Sequence, residues 1–245
     1  MDKSQQIRQQ IAQLVDEYSA MKYTPKAFEP GSTVIPPSGK VLDGDELKAM
    51  VEASLDGWLT TGRFNEAFEK KLANYLGVRF LLTTNSGSSA NLLAFSALTS
   101  DKLGDRAIKP GDEVIGVAAG FPTTVNPILQ FGAVPVFVDI DPETLNLDPR
   151  KIEAAITDKT TAIMPVHCYG RPCDVERIGQ IAKQNGLKVI YDAAHAFGVQ
   201  VGGESLLNFG DLSALSFHAT KVFNTFEGGA IISNTPEMKQ RIDHL

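Results

Sequence analysis

The sequence predicts an α/β protein with a three-layer α/β/α architecture and a mostly parallel central sheet. From residue 79 onward, short apolar runs of strand length alternate with segments whose apolar residues recur at helical spacing. Several runs, such as the one at 134–140, are rich in valine and do not alternate with polar residues, which is typical of strands buried on both faces. Strands that alternate with helices favour right-handed crossovers and a parallel sheet covered on both sides.

The first part of the chain is predicted to consist of a helix and an extended arm. Apolar residues recur at helical spacing between residues 4 and 22, so an amphipathic helix is expected there. Residues 23–39 contain four prolines and two glycines, which favour an extended linker. Two further helices are expected around 47–55 and 64–76, where apolar residues again recur every three or four positions.

The later part of the chain carries the predicted sheet. Strands are expected at 79–84, 112–117, 134–140, 161–167, 188–194, 212–217 and 228–233. Helices are expected at 88–98, 123–132, 148–156, 174–186 and 236–245. Asp148 is placed to cap the third of these helices, with proline at its first position. We expect 1–40 to form the N-terminal helix and arm, and 41–245 to form one large domain.

Composition and charge argue against several classes of function. The chain of 245 residues is 43% hydrophobic and 21% charged, as in ordinary globular proteins. Its net charge of −6, without any Lys/Arg run, argues against binding nucleic acid. No apolar run approaches the roughly 18 residues of a membrane span, and the N-terminus lacks the apolar core of a signal peptide. A cytoplasmic protein without a membrane partner is therefore expected.

The two cysteines do not indicate a disulfide framework or a metal site. Cys168 and Cys173 are too few to staple a fold, and their spacing is not that of a zinc knuckle. No second pair exists to complete four ligands. Two reduced thiols and no bound metal are expected.

Polar and aromatic residues follow the predicted strands at their carboxyl ends, where open α/β sheets bind ligands. They are Gly87, Ser88, Ser89, Phe121, His167, Tyr169, Asp192, His195 and Lys221. Each alone has an ordinary explanation, such as a helix cap, core packing or a solvated lysine. Together they supply what pyridoxal 5′-phosphate needs: a phosphate anchor at a helix N-terminus, a ring to stack on, a carboxylate for the pyridine nitrogen, and an amine.

Several of these residues lie in segments that resemble the DegT/DnrJ/EryC1/StrS family of pyridoxal-phosphate-dependent sugar aminotransferases. The resemblance runs in order over roughly residues 30–245 and includes "GWLTTGRFNEAFEKKLANYLGV", "SGSSANLLA", "VIYDAAHAFG" and "LSFHATKVFNTFEGGA". It implies the large domain of a fold-type I enzyme whose smaller C-terminal domain is absent. It also implies a cytoplasmic homodimer that acts in nucleotide-sugar and O-antigen biosynthesis.

The resemblance implies a role for each candidate residue. Lys221 would hold the cofactor as a Schiff base and act as general base, Asp192 would pair with the pyridine nitrogen, and His195 would lie by the ring oxygen. The other cofactor-binding candidates are Gly87, Ser88, Ser89, Ser216 and the ring of Phe121. The candidate substrate contacts are Thr61, His167, Tyr169 and Glu227.

The implied reaction is transfer of an amino group, with glutamate as the expected donor, to a nucleotide-linked keto-deoxy sugar. Residues of about 35–140 look most like the CDP-4-keto-6-deoxyglucose 3-dehydrases, which carry histidine at the lysine position. Lys221 favours transamination, and two cysteines cannot ligate the iron–sulfur cluster of those dehydrases. Phe226 stands where the family usually has glycine. A dehydrase that uses the same cofactor, and an engineered or chimeric large-domain scaffold without activity, remain the alternatives.

Overall fold

The structure, a computed structural model, divides the chain into two compact units, Met1–Phe68 and Glu69–Leu245. The described residues are 2–24, 26–36, 38–39 and 41–245. Pro25 and Pro37 of the predicted arm lie outside them. Lys40 also lies outside them. The domain boundary expected at that residue stays a prediction.

Two helices of the first unit are joined by charged hydrogen bonds. The predicted N-terminal helix is confirmed as α1 (Lys3–Lys22), and α2 (Gly44–Leu55) follows the arm. Arg8 on α1 donates to the carboxylate of Glu52 at 2.5 Å and to the carbonyl of Leu55 at 2.8 Å. α2 has no fully buried residue, so these bonds lie at a partly exposed contact between the two helices.

The strands and the remaining helices follow the predicted order. The helices are α3 (Arg63–Leu76), within which the two units divide, α4 (Gly87–Leu98), α5 (Pro122–Gln130), α6 (Ile152–Ala155), α7 (Val175–Asn185) and α8 (Pro236–Ile242). The strands are β1 (Phe80–Thr84), β2 (Glu113–Val117), β3 (Val134–Val138), β4 (Thr160–Met164), β5 (Lys188–Asp192), β6 (Gln200–Val201), β7 (Glu204–Ser205), β8 (Leu212–Ser216) and β9 (Gly229–Ser233). In the described part of the chain, no helix is both long and apolar enough to cross a membrane.

Seven of the strands form one sheet in the order β1-β9-β8-β5-β4-β2-β3. The mostly parallel sheet is confirmed, because β3, β2, β4, β5 and β8 pair in parallel. Strand β9 is the exception and pairs antiparallel with both β8 and β1. The connection between β8 and β9 contains no helix, and without a helical crossover the second strand turns back beside the first.

Helix α4 packs against the centre of the sheet. Its buried residues include Ala90, Ala94, Phe95 and Leu98, which belong to one apolar cluster with residues of β5, β8 and β9. Burying a side chain such as Phe95 contributes about 2–3 kcal/mol. The alanines bring the helix axis close to the strands, so the N-terminus of α4 lies near the carboxyl end of β8.

Two local predictions differ from the structure. The helix expected at 148–156 is a single 3₁₀ turn, Pro149–Lys151, followed by the short α6. Asp148 still caps it, accepting from the N–H of Arg150 at 3.0 Å, but Lys151 has φ −96° and ψ −10°, which interrupts a regular α-helix. The hairpin of β6 and β7 was not predicted, although its consecutive Gly202-Gly203, with φ of 60° and 85°, is a known turn signal.

Candidate active site

Asp192, the last residue of β5, is a buried carboxylate held by neutral donors. Its side chain is 3% exposed. Oδ2 accepts hydrogen bonds from Asn91 Nδ2 at 2.9 Å and from Thr124 Oγ1 at 2.5 Å, and Oδ1 accepts one from the N–H of Ala194 at 3.1 Å. The bond to Ala194, two residues further on, is an ordinary turn in which an aspartate side chain accepts from the backbone. The two bonds to Oδ2 come from α4 and α5 and go beyond that role.

The carboxylate has no cationic partner within the described part of the chain. No lysine, arginine or histidine nitrogen forms an ion pair with Asp192 there. A buried carboxylate that accepts bonds only from neutral donors is stabilised further when it meets a cation. The site therefore suits a ligand with a protonated nitrogen, such as a pyridinium ring.

Sequence reasoning did not single out Asn91 and Thr124. Both side chains are buried, at 2% and 3% exposure, and both point their donors at the same oxygen of Asp192. A signal existed for Asn91, since it is a polar residue inside the otherwise apolar run "ANLLAF". Thr124 has no comparable signal in the sequence, because threonine is common in the first turn of a helix.

The N-terminus of α4 lies against the ends of β8 and β9 because two glycines allow it. A Cβ added to Gly87 would lie 2.6 Å from Cβ of Ser216, and one added to Gly229 would lie 2.5 Å from the carbonyl oxygen of Ser86. Ser86 caps the helix by accepting from the N–H of Ser89 at 3.1 Å. The first N–H groups of a helix lack intrahelical acceptors, so the turn Gly87–Ser89 is suited to bind an anion.

Lys221 lies in the loop that joins β8 to β9. The loop is closed by hydrogen bonds from the N–H of Phe217 to Gly228 O at 2.8 Å and from the N–H of Thr225 to Phe217 O at 3.0 Å. The N–H of Lys221 donates to His218 O at 2.9 Å, which folds the first part of the loop into a turn. The lysine is half-buried.

His195 is held in one tautomer by the backbone. Its Nδ1 accepts from the N–H of Tyr169 at 3.2 Å, and the Tyr169 ring stacks on the imidazole with centroids 5.6 Å apart. Partial burial lowers the pKa of His195, the nearby Lys221 charge lowers it further, and Asp192 opposes both. With Nδ1 as acceptor and a lowered pKa, the neutral ring carries its proton on Nε2. Lys221 and Asp192 thus both lie near enough to His195 to influence its pKa.

The remaining candidates lie in different surroundings. The Phe121 ring is 66% exposed at the start of α5, three residues before Thr124, so it is free to stack on a ligand. Glu227 is exposed, with its carboxylate 3.5 Å from His218 Nε2. Thr61 belongs to the first unit, where residues between Ala53 and Glu66 line a cavity of about 770 Å³.

His167 does not line a surface. It is 0% exposed, its Nδ1 accepts from the N–H of Cys173 at 3.0 Å, and its ring stacks on Tyr191 with centroids 4.5 Å apart. Its own N–H donates to the carbonyl of Asp192 at 3.0 Å. Because a side chain without exposed surface cannot touch a substrate, we assign His167 a structural role beneath Asp192 in place of the predicted substrate contact.

No group of three or more histidine, cysteine or acidic side chains within the described ranges is arranged to hold a metal ion. The site is therefore characterised by its carboxylate, its helix N-terminus and its lysine. These groups fit an anionic, ring-containing cofactor with a cationic nitrogen.

Comparison with known proteins yields a lipopolysaccharide biosynthesis protein and a sugar transaminase among the similar proteins. The chain is 53% identical over 237 residues to the lipopolysaccharide biosynthesis protein RfbH of Salmonella typhimurium, covering 97% of this chain and 54% of that protein. It is 53% identical over 184 residues to the dTDP-4-amino-4,6-dideoxy-D-glucose transaminase of Shigella dysenteriae, covering 75% and 47%. The chain thus spans about half the length of the curated relatives it matches.

A solved structure shares the fold. GDP-4-keto-6-deoxymannose-3-dehydratase, with a trapped PLP-glutamate geminal diamine, is 31% identical with a TM-score of 0.79, and the match covers 84% of this chain and 53% of that one. The predicted fold-type I architecture is thereby confirmed. Residues 41–245 match the DegT/DnrJ/EryC1/StrS aminotransferase family. The chain belongs to the DegT/DnrJ/EryC1/StrS aminotransferase family.

Proposed function

We propose that this chain is the cofactor-binding part of a pyridoxal-phosphate-dependent aminotransferase that acts on a nucleotide-linked keto-deoxy sugar, with glutamate as the amino donor. The observation that carries the proposal is Asp192, a buried carboxylate with three neutral donors and no cationic partner among the described residues. The positive charge of Lys221 lowers the pKa of His195, and the negative charge of Asp192 raises it. The similarity to a transaminase and to lipopolysaccharide biosynthesis protein RfbH supports the substrate class.

The residues present fit the cofactor. The turn Gly87–Ser89 and Ser216 would hold the phosphate, because the close approach of α4 to β8 gathers free N–H groups and hydroxyls. The exposed Phe121 ring would cover one face of the pyridine ring. When bound, pyridoxal phosphate supplies the electron sink that lets an amino group move between an amino acid and a keto sugar.

Each catalytic candidate has a task that its surroundings support. The carboxylate of Asp192 holds a proton on a ring nitrogen, and its bonds to Asn91 and Thr124 fix its direction. His195 donates from Nε2, since Tyr169 occupies Nδ1. The Nζ of Lys221 moves a proton to and from the substrate carbon, and its place in a closed loop between two buried strands limits how far it can move.

The alternative is a dehydratase that uses the same cofactor. The 31% identity to GDP-4-keto-6-deoxymannose-3-dehydratase favours it, as does the resemblance of the first part of the chain to dehydrases. Lys221 supports transamination, since a lysine can carry the cofactor covalently between two half-reactions. Mass analysis of the sugar distinguishes the two: transamination replaces a keto oxygen by an amino group, whereas dehydration removes one water.

Location and assembly complete the proposal. We place the protein in the cytoplasm, and we propose a homodimer. Thr61, Tyr169 and Glu227 stay candidates for contacts to the sugar nucleotide. The partners are the nucleotide sugar and the amino-acid donor, with no nucleic acid and no membrane.

The experiment is a titration of the purified chain with pyridoxal phosphate, followed by visible absorption. Wild type and Lys183→Ala, which removes an exposed lysine of α7, should develop a band of lysine-bound cofactor, and Lys221→Ala should not. Asp192→Asn should keep the band but lose the response to glutamate by about 100-fold or more in rate. A band that survives in Lys221→Ala would refute the role of the lysine. No band in wild type would favour the scaffold alternative.

A further inference from the structure

Two loops of the site are joined by an aromatic stack. Phe197 lies two residues after His195, and Phe223 lies two residues after Lys221. Their rings are parallel, with centroids 4.5 Å apart and an interplanar angle of 8°. Phe217, at the end of β8, contacts the Phe223 ring edge-on at 5.4 Å.

Several hydrogen bonds join one part of the lysine loop to another. Backbone bonds tie the base of the loop together, from Phe217 to Gly228 and Thr225, and a bond from Lys221 to His218 closes the turn at the lysine. None of these bonds reaches the segment that carries Asp192 and His195. The contact between Phe197 and Phe223 does reach it.

We propose that Phe197 and Phe223 are positioning residues that hold the Lys221 loop against the His195 segment and so set where the lysine amine lies. Only one residue separates Phe223 from Lys221, so the position of the stacked ring also limits the position of the lysine backbone. Tyr75 of α3 extends it on the other side, with its ring 6.0 Å from that of Phe197. The proposal rests on the proposed function insofar as Lys221 is the cofactor lysine.

The first test uses the chain without cofactor. The chain has four histidines, so their imidazole C–H resonances can be titrated by NMR and assigned with His195→Gln. Lys221→Met should raise the pKa of His195, because the nearby positive charge is lost. Phe223→Leu should raise it as well, because the lysine is released from its place. The double variant should show no further rise beyond Lys221→Met.

The controls separate positioning from general loosening. Phe223→Tyr keeps the stacked ring and should restore the wild-type titration. Phe131→Leu removes a comparable ring contact, to Phe95 at 5.6 Å, in the apolar cluster under the sheet and should leave the His195 pKa unchanged. Phe197 and Phe223 are both only partly buried, so their leucine variants are expected to fold.

The second test adds pyridoxal phosphate. An aromatic pair of this kind corresponds to a factor of about five in an equilibrium constant, so Phe223→Leu should need about fivefold more cofactor for half of the lysine-bound band. An unchanged His195 titration in Phe223→Leu would overturn the positioning role. A wild-type chain that forms no band would instead overturn the proposed function, while the NMR titration still decides the role of the stack.

Discussion

The buried imidazole of His167 predicts a specific loss of stability in acid. The ring is 0% exposed, and within the described residues its Nε2 has no hydrogen-bond partner. Burial lowers the pKa of His167 from 6.5 to about 3. Between these two values the unfolded chain binds a proton that the folded chain does not bind, so the free energy of unfolding falls as the pH falls.

The size of the effect follows from the two pKa values. One proton taken up only by the unfolded state lowers the free energy of unfolding by about 1.4 kcal/mol per pH unit. Between pH 7.5 and pH 5 the loss amounts to about 2 kcal/mol, because the unfolded histidine titrates with a pKa near 6.5. Above pH 7.5 the loss is absent. Below pH 5 it continues to grow until the pH approaches 3.

The test is urea unfolding at pH 5, 6 and 7.5 of wild type and His167→Asn. Asparagine keeps an acceptor near the position of Nδ1, which the N–H of Cys173 uses, but it does not titrate. The variant is expected to be less stable than wild type at pH 7.5. The difference in the free energy of unfolding between the two proteins should shrink by about 2 kcal/mol at pH 5. His244→Asn, at an exposed site near the C-terminus, is the matched control and should follow wild type. A difference in the free energy of unfolding that stays constant across the pH range would refute the burial of a neutral ring.

Three further changes test the geometry of the site, each by urea unfolding. Thr124→Val removes a donor from the buried carboxylate and should cost about 1–3 kcal/mol, whereas Thr123→Val, on the partly exposed side of the same turn, should cost under about 1 kcal/mol. Gly87→Ala inserts a Cβ 2.6 Å from the end of β8 and should cost about 1–3 kcal/mol, whereas Gly179→Ala, with open space in α7, should gain about 0.5–1 kcal/mol. Phe226 has φ of 65°, so its glycine variant should be more stable than its alanine variant by about 1 kcal/mol, and equal stabilities would contradict backbone strain there.

The strand ends could be predicted because a parallel sheet gathers them at one edge. Asp192 and Lys221 follow short apolar runs that admit few other interpretations, and the sheet brings both to the site. The backbone conformation at Phe226 also agrees with what the sequence indicated. It stands where the family usually has glycine, and the structure gives it the left-handed backbone that glycine adopts easily.

What surrounds the carboxylate could not be predicted from local patterns. Asn91 and Thr124 reach Asp192 from two helices, and which face of each helix meets β5 depends on the packing of the whole domain. His167 was expected at the surface because it follows a strand. The ladder between β4 and β5 continues through a bridge from Val166 to Asp192, which keeps the next residue inside the sheet layer.

The place of β9 also governs when the site can exist during synthesis. Strand β1 leads into the turn Gly87–Ser89 of α4, but its partner in the sheet is β9, about 150 residues later in the chain. Strand β9 also completes the lysine loop by pairing with β8. A growing chain can therefore build the parallel half of the sheet early, while β1 gains its partner in the sheet only after β9 has left the ribosome. The turn at the start of α4 follows β1, and the lysine loop follows β8, so both need β9 before the sheet around them is complete.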